Sequence, residues 1–251
     1  MNFIIKIYKS LGKLYKNIKF LFTLNCIKTL YFNFKMFPFE IAKKLPIFIY
    51  GKVKFSDLSG EIIIDAPIKM GMIGFGQPYE IFSKSAGNAQ IFIAGKVIFK
   101  GHCQFGLDYF IHIAQTATLK MGNMSSLGSR GKIICYNEIT FGNYCRIGFE
   151  SQVIDTNAHQ MMDVITNENF PITSPILLGS YNYFSNRVSI LQNTITPNYC
   201  TTASNSLCSK DYSFLGKNIL IGGIPAKLIK NNISRDWIGE EEILKSLIID
   251  K

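Results

Sequence analysis

Phe141-Gly-Asn-Tyr-Cys-Arg-Ile-Gly-Phe-Glu-Ser-Gln-Val153 sets a large apolar residue at every sixth position. Neither a helix nor a simple half-buried strand has that period. The interval recurs on both sides. Ile93, Phe99, Phe105 and Ile111 keep it, as do Met121, Leu127, Ile133 and Ile139, and then Leu178, Phe184 and Ile190, whose phase continues at Thr196 and Thr202. Four residues after the apolar position a small or compact one tends to follow, as at Val97, Cys103, Cys145, Ser151, Val188, Thr194, Cys200 and Ser206. A period of six describes short strands joined by turns, each giving one large side chain to the inside. One such rung cannot bury that side chain alone, but stacked rungs can, and the spacing therefore predicts a β-solenoid. The ragged stretch from Gly51 to Ile98 is expected to supply the first coils. The phase slips between Ile139 and Phe141 and breaks off between Val153 and Leu178, marking two irregular places.

Composition fits one main domain with attachments. The chain has 251 residues, 47% hydrophobic and 18% charged, which gives enough apolar material for a core and excludes wholesale disorder. We expect a basic helical segment over 1–45, the solenoid over 46–230 and a C-terminal capping helix over 231–251. Six cysteines, none in a C-x-x-C pair, argue against a zinc cluster or a thioredoxin-like site and read as buried reduced thiols.

The net charge of +10 is concentrated at one end. Lysines 6, 9, 13, 16, 19, 28, 35, 43 and 44 face a single acid, Glu40, within the first 45 residues, so nucleic acid is not the expected partner. In that segment Ile4, Ile7, Leu11, Leu14, Ile18 and Leu21 fall on one helical stripe, with Lys6, Lys9, Lys13 and Lys16 opposite. The helix should continue less regularly until Pro38 interrupts it. Such a helix suits an anionic membrane interface, packing on its own protein, or a partner helix. Lysines break every apolar run before it reaches the length of a signal-peptide core or a membrane span.

Three longer stretches resemble one family. The run Ser174-Pro-Ile-Leu-Leu-Gly-Ser-Tyr-Asn-Tyr-Phe-Ser-Asn-Arg-Val-Ser-Ile-Leu191, then Thr201-Thr-Ala-Ser-Asn-Ser-Leu207, then Gly222-Gly-Ile-Pro-Ala-Lys-Leu-Ile-Lys230, is similar to the C-terminal coils of hexapeptide-repeat acyltransferases. Ile154-Asp-Thr-Asn-Ala-His159 resembles the catalytic loop of the subgroup that acetylates sugars and capsular or lipopolysaccharide glycans. Tyr183 stands where the family often has Trp, and Ser185 where it often has Gly. The resemblance implies an all-β left-handed parallel β-helix with three hexads per coil, a homotrimer, and acetyl-CoA as co-substrate with no metal.

Acetyl transfer from a thioester to an alcohol requires a base at the hydroxyl, and imidazole suits that task at cellular pH. Of His102, His112 and His159, the last lies where the hexad pattern halts and a loop opens, running to about Pro175. Asp155, four residues earlier, could orient the ring and stabilise imidazolium; Asn157 could do part of that, and Asp155 also reads as a turn residue. Direct attack by the acceptor hydroxyl in a ternary complex needs no Ser or Cys nucleophile. By family position, Tyr183, Asn186 and Ser204 would hold the pantetheine arm, with Lys210, Lys227 and Lys230 for the phosphates of acetyl-CoA. The leading expectation is an O-acetyltransferase for a carbohydrate acceptor of the cell surface, cytoplasmic and in peripheral contact with the inner face of the membrane through residues 1–45. Acetylation of a free small molecule or an amino sugar uses the same parts, and a non-enzymatic membrane-associated scaffold is the other alternative. A metal-dependent hydratase would need the three histidines together, yet their spacings are not whole numbers of coils.

Overall fold

The computed structural model describes residues 23–77, 80 and 84–246. The stripe from Ile4 to Leu21 and its facing lysines lie outside them. The chain winds as a left-handed parallel β-helix with three sheets. The first sheet has nine strands, from Ile47–Ile49 to Lys227–Asn231; the second seven, from Val53–Asp57 to Leu207–Cys208; the third six, from Glu61–Ile64 to Ile195–Thr196. Successive strands pass from first to second to third sheet, and every neighbour pair is parallel except the last.

The inward columns explain the six-residue spacing. Phe75, Phe105, Leu127, Ile147, Phe184, Thr202 and Ile221 stack on the first sheet. Ile91, Ile111, Ile133, Val153, Ile190 and Cys208 stack on the second. Phe99, Met121, Phe141, Leu178 and Thr196 stack on the third. All of these are buried, so each large apolar rung contributes roughly 1.5–3 kcal/mol by leaving water. Rings dominate the earlier coils, where Phe75 and Phe105 lie 4.3 Å apart in parallel planes. Ile, Thr and Cys fill the later ones.

One detail of the spacing corrects the sequence reading. Ile139 is not the successor of Ile133; that place belongs to Phe141, and Ile139 pairs instead with Leu119 and Ile176. Both Ile139 and Phe141 point inward because most strands of the second and third sheets bury alternate residues, two per strand. The apparent slip is a corner lengthened by two residues at Tyr136 and Asn137.

Both ends of the stack are closed. The helix Cys26–Met36 lies on the first strand, burying Phe32 against the rings of Phe55 and Phe75. Asn33 accepts from the Ile47 N–H at 3.2 Å and donates to the Ile47 carbonyl at 2.7 Å, while Thr29 accepts from the Ile49 N–H at 3.0 Å. Two side chains thus satisfy a strand edge that would otherwise recruit another chain. The helix ends at Met36, ahead of Pro38 as expected, but it does not continue an upstream helix without interruption. Leu24 forms a bridge with Tyr50, and Asn25 caps the new helix by accepting from the Lys28 N–H. At the other end the antiparallel strand Lys227–Asn231 covers Ile219–Gly222. The expected capping helix, Trp237–Ser246, runs instead along the flank, packing Trp237 and Leu244 on a cluster that includes Met124 and Tyr144, Tyr181 and Tyr199 from three successive coils. The phenol column offers it a lengthwise apolar seat, which the strand-covered end does not.

Candidate active site

The three edges of the prism differ, and the differences position the chemistry. Where the first sheet passes to the second, Asp108, Arg130, Glu150, Arg187 and Asn205 all adopt positive φ, near 55°, and each from Arg130 onward donates its N–H to the coil before it. Where the second passes to the third, the corners are uneven. From Ile111 to Met121 the chain takes ten residues, from Ile133 to Phe141 eight, and from Val153 to Leu178 twenty-five, against six from Ile190 to Thr196. The longest of these corners is the loop that carries His159.

That loop folds back on itself as a narrow arm. Thr156 bridges Thr173 and Met162 bridges Asn169 in antiparallel fashion, and the Asn157 N–H donates to the Ile172 carbonyl at 2.9 Å. At its tip the Asp163 carboxylate accepts from the Ile165 and Thr166 N–H groups, which hold it below the usual carboxylate range. Near its root Ala158 takes a φ of 59° and donates its N–H to the Thr156 hydroxyl at 2.9 Å. His159 follows that turn and is exposed, as is Asn157.

Asp155 has a different position from the one its spacing suggested. It is fully buried, and its oxygens accept from the Tyr136 N–H at 2.7 Å, the Asn137 N–H at 2.8 Å and the Cys135 thiol at 3.4 Å. Burial and then the Asp155 charge push the Cys135 thiol up. Among the described residues no hydrogen bond joins Asp155 to His159. The carboxylate clamps the root of the arm to the preceding coil and leaves the ring to solvent.

The predicted donor residues divide between edges. Asn186 and Ser204 line one pocket of about 210 Å³ at the first-to-second edge, together with Phe149, Arg187 and Asn205. Ser185 and Ser204 share a hydrogen bond of 2.7 Å between their hydroxyls, and the Asn205 N–H donates to the Asn186 carbonyl. A larger cavity of about 340 Å³ shares Phe149 and Asn186 and extends past Gly148 to Tyr183 and Arg146, roofed by Ile243 and Leu244 of the flanking helix. The Arg235 guanidinium sits 5.0 Å from the ring centres of both Tyr183 and Trp237. Lys227 stands opposite Gly222 at the exposed end strand, whose hairpin is tied to this edge by the Ala226 N–H donating to the Leu207 carbonyl. Lys230 pairs farther along, opposite Leu220. Lys210 is elsewhere: it follows Leu207–Cys208 on the His159 edge, 5.5 Å from the Tyr212 ring.

Sequence reasoning missed Phe149, Arg187 and Asn205. Arg187 and Asn205 follow Asn186 and Ser204 directly, one coil apart, and that repeated pair was the signal. Arg130 and Arg187 both bind Glu150, at 3.0 and 2.8 Å, and hold its carboxyl below its ordinary range, Arg187 most strongly. The edge beside the pocket therefore carries two guanidiniums against one carboxylate. Five of the six cysteines are buried, and burial pushes Cys103, Cys200 and Cys208 up to about 12, out of the range of useful nucleophiles. Among the described residues no three His, Cys, Asp or Glu side chains cluster as a metal site.

No family model matches the chain, and no curated protein matches it either. Solved structures do. The polySia-specific acetyltransferase NeuO aligns with a TM-score of 0.50 at 15% identity, covering 78% of this chain and 96% of its own. The chain has the hexapeptide-repeat β-helix fold. Two further similar structures are the polysialic acid O-acetyltransferase OatWY, at 21% identity, 74% and 75% coverage and a TM-score of 0.38, and AntD, an N-acyltransferase from Bacillus cereus in complex with dTDP and 3-hydroxybutyryl-CoA, at 13%, 85% and 98%, and 0.42. At such identities the likeness is one of fold.

Proposed function

We propose that the chain is an acetyl-CoA-dependent O-acetyltransferase acting on a sugar hydroxyl of a surface glycan or its precursor. The observation that carries this reading is the placement of an exposed imidazole on an arm whose root is rigidly pinned, on a scaffold that elsewhere bears an open pocket with hydroxyl, amide and guanidinium groups. His159 takes the proton of the acceptor hydroxyl as its oxygen attacks the thioester carbonyl. The tetrahedral adduct then expels coenzyme A as a thiolate, which receives the proton from the imidazolium. Asn186 and Ser204 hold the pantetheine arm, and Arg187 joins Lys227 near the phosphates. Asp155 acts as a positioning residue by fixing the arm. NeuO, whose fold the chain shares, is named as a polySia-specific acetyltransferase, which favours a glycan acceptor.

His159 and Ser204 lie on opposite margins of the second sheet, so a homotrimer is part of the proposal: the arm of one copy meets the pocket edge of the next. The helix Cys26–Met36 exposes Ile27, Leu30, Tyr31 and Phe34, an apolar face suited to peripheral contact with the inner face of the cell membrane. No helix among the described residues is long and apolar enough to cross a membrane. Flotation with anionic vesicles should recover the full chain and not a chain lacking residues 1–45; equal recovery of both rejects the membrane role.

The decisive assay is release of coenzyme A from acetyl-CoA, followed with a thiol reagent in the presence of candidate glycans. His159→Ala should reduce transfer by about 10²–10⁴-fold while coenzyme A binding is retained. A chain that binds no coenzyme A is not an acetyltransferase.

A further inference from the structure

The donor pocket adjoins a space that an acetyl group leaves empty. Phe149, Asn186 and Ser204 follow one another along the first-to-second edge, one per coil. The Arg187 N–H donates to the Phe149 carbonyl at 3.0 Å and the Asn205 N–H to the Asn186 carbonyl at 3.1 Å, which ties the three corners together. With the phosphates at the Lys227 end, a pantetheine arm lying on Ser204 and Asn186 runs toward Phe149, about 10 Å from Ser204. Phe149 belongs to the coil from which the His159 arm departs, since the strand Gln152–Ile154 follows it closely. Rotation about a threefold axis parallel to the prism keeps like residues at like heights. The arm of the neighbouring copy therefore arrives at the level of Phe149, and the thioester carbonyl belongs there.

At Phe149 and Asn186 the pocket passes into the cavity of about 340 Å³ beneath the flanking helix. An acetyl methyl is about the size of a water molecule, whose share of liquid volume is ~30 Å³. The cavity is far larger than that. Part of its wall is apolar: Phe149 from the sheet edge, and Ile243 and Leu244 from the helix. Arg146, Arg235 and Glu80 line the remainder. Arg146 is buried and donates to the Met124 carbonyl and to Gln104 Oε1, both at 3.2 Å. A few methylenes can leave water against the apolar wall. A longer chain would reach the charged groups and strip them of water, at a cost that offsets the added carbon.

We infer that this cavity receives the acyl end of the donor, and that the chain carries acyl groups of up to about four carbons rather than acetyl alone. The inference rests on the acyl-transfer reading above and widens its donor. Ile243 and Leu244 then set donor size, which gives the flanking helix a part in specificity as well as in packing.

The test is calorimetric titration of the full chain with coenzyme A and with its acetyl, butyryl and octanoyl thioesters. Butyryl-coenzyme A should bind about tenfold tighter than acetyl-coenzyme A, because two more methylenes leave water. Octanoyl-coenzyme A should bind no tighter than the butyryl thioester. Ile243→Phe enlarges a side chain that is 61% exposed and so has room to change, and it narrows the cavity from above. In that variant the preference for butyryl over acetyl should fall below about twofold. Trp237 is the only tryptophan of the chain, so an unchanged emission spectrum shows that the helix is still seated. The parental comparison decides by itself: equal affinity for the acetyl and butyryl thioesters, or octanoyl bound tightest, overturns the inference and leaves acetyl transfer intact. A butyryl preference undiminished in Ile243→Phe with its helix seated removes the helix from donor selection and overturns it as well. A chain that binds neither coenzyme A nor any thioester rejects acyl transfer itself, and the donor cavity with it.

Discussion

Asp155 and His159 are four residues apart yet occupy opposite environments, one sealed and fully hydrogen-bonded, the other in solvent. Their substitutions should therefore separate stability from activity. Asp155→Ala leaves two backbone N–H groups and a thiol without their acceptor, and should lower unfolding free energy by about 2 kcal/mol. Asp155→Asn keeps one acceptor oxygen and should cost less. His159→Ala should stay within about 0.5 kcal/mol of the parent, because an exposed side chain without partners contributes little. Urea unfolding of the three variants checks the order; an Asp155→Ala chain as stable as the parent contradicts the clamp. The sequence distinguished His159 from His102 and His112 because only His159 lies where the repeat stops. It did not reveal the use of Asp155, since an Asp at a loop root looks the same whether its carboxylate meets a histidine or the backbone of a neighbouring coil. That choice is made by a contact nineteen residues away in sequence, at Tyr136.

At the scale of the coil, legibility followed chemistry. A six-residue interval was readable because each strand places one large side chain on a shared inner column. The misassigned Ile139 arose because strands here carry two inward residues, so either fits the interval when the corner length is unknown. Corners are set partly by glycine. At the third-to-first edge Gly122, Gly142 and Gly179 lie one above another, and a Cβ on Gly142 would meet the Gly179 carbonyl carbon and the Ser180 nitrogen, both at 2.5 Å. Those are backbone atoms with no rotamer to yield. Gly142→Ala should then force adjacent coils apart and cost about 1–3 kcal/mol, read as a lower urea midpoint. A neutral result means that the corners have slack the packing does not suggest.

For the molecule as a whole, the two halves of the proposed site lie on different edges of one prism, and this has a quantitative consequence. The C-terminal coils and the His159 arm were each legible from local sequence, but their separation across the second sheet was not, because the hexad period is blind to which edge an insertion leaves from. If each site joins the arm of one copy to the pocket of the next, two inactive variants repair each other. His159→Ala retains a working pocket, and Ser204→Trp, which fills the pocket at the edge, retains a working arm. Unfolded together and refolded in equal amounts, they distribute at random among trimers. A site is intact when an arm from the Ser204→Trp chain meets a pocket from the His159→Ala chain, which happens for about one quarter of sites in a cyclic trimer. The mixture should recover about a quarter of the parental rate of coenzyme A release, although neither variant alone transfers acetyl. Activity that stays at the level of the separate variants, in trimers shown by mass to be mixed, places both halves within a single chain and removes the reason for assembly.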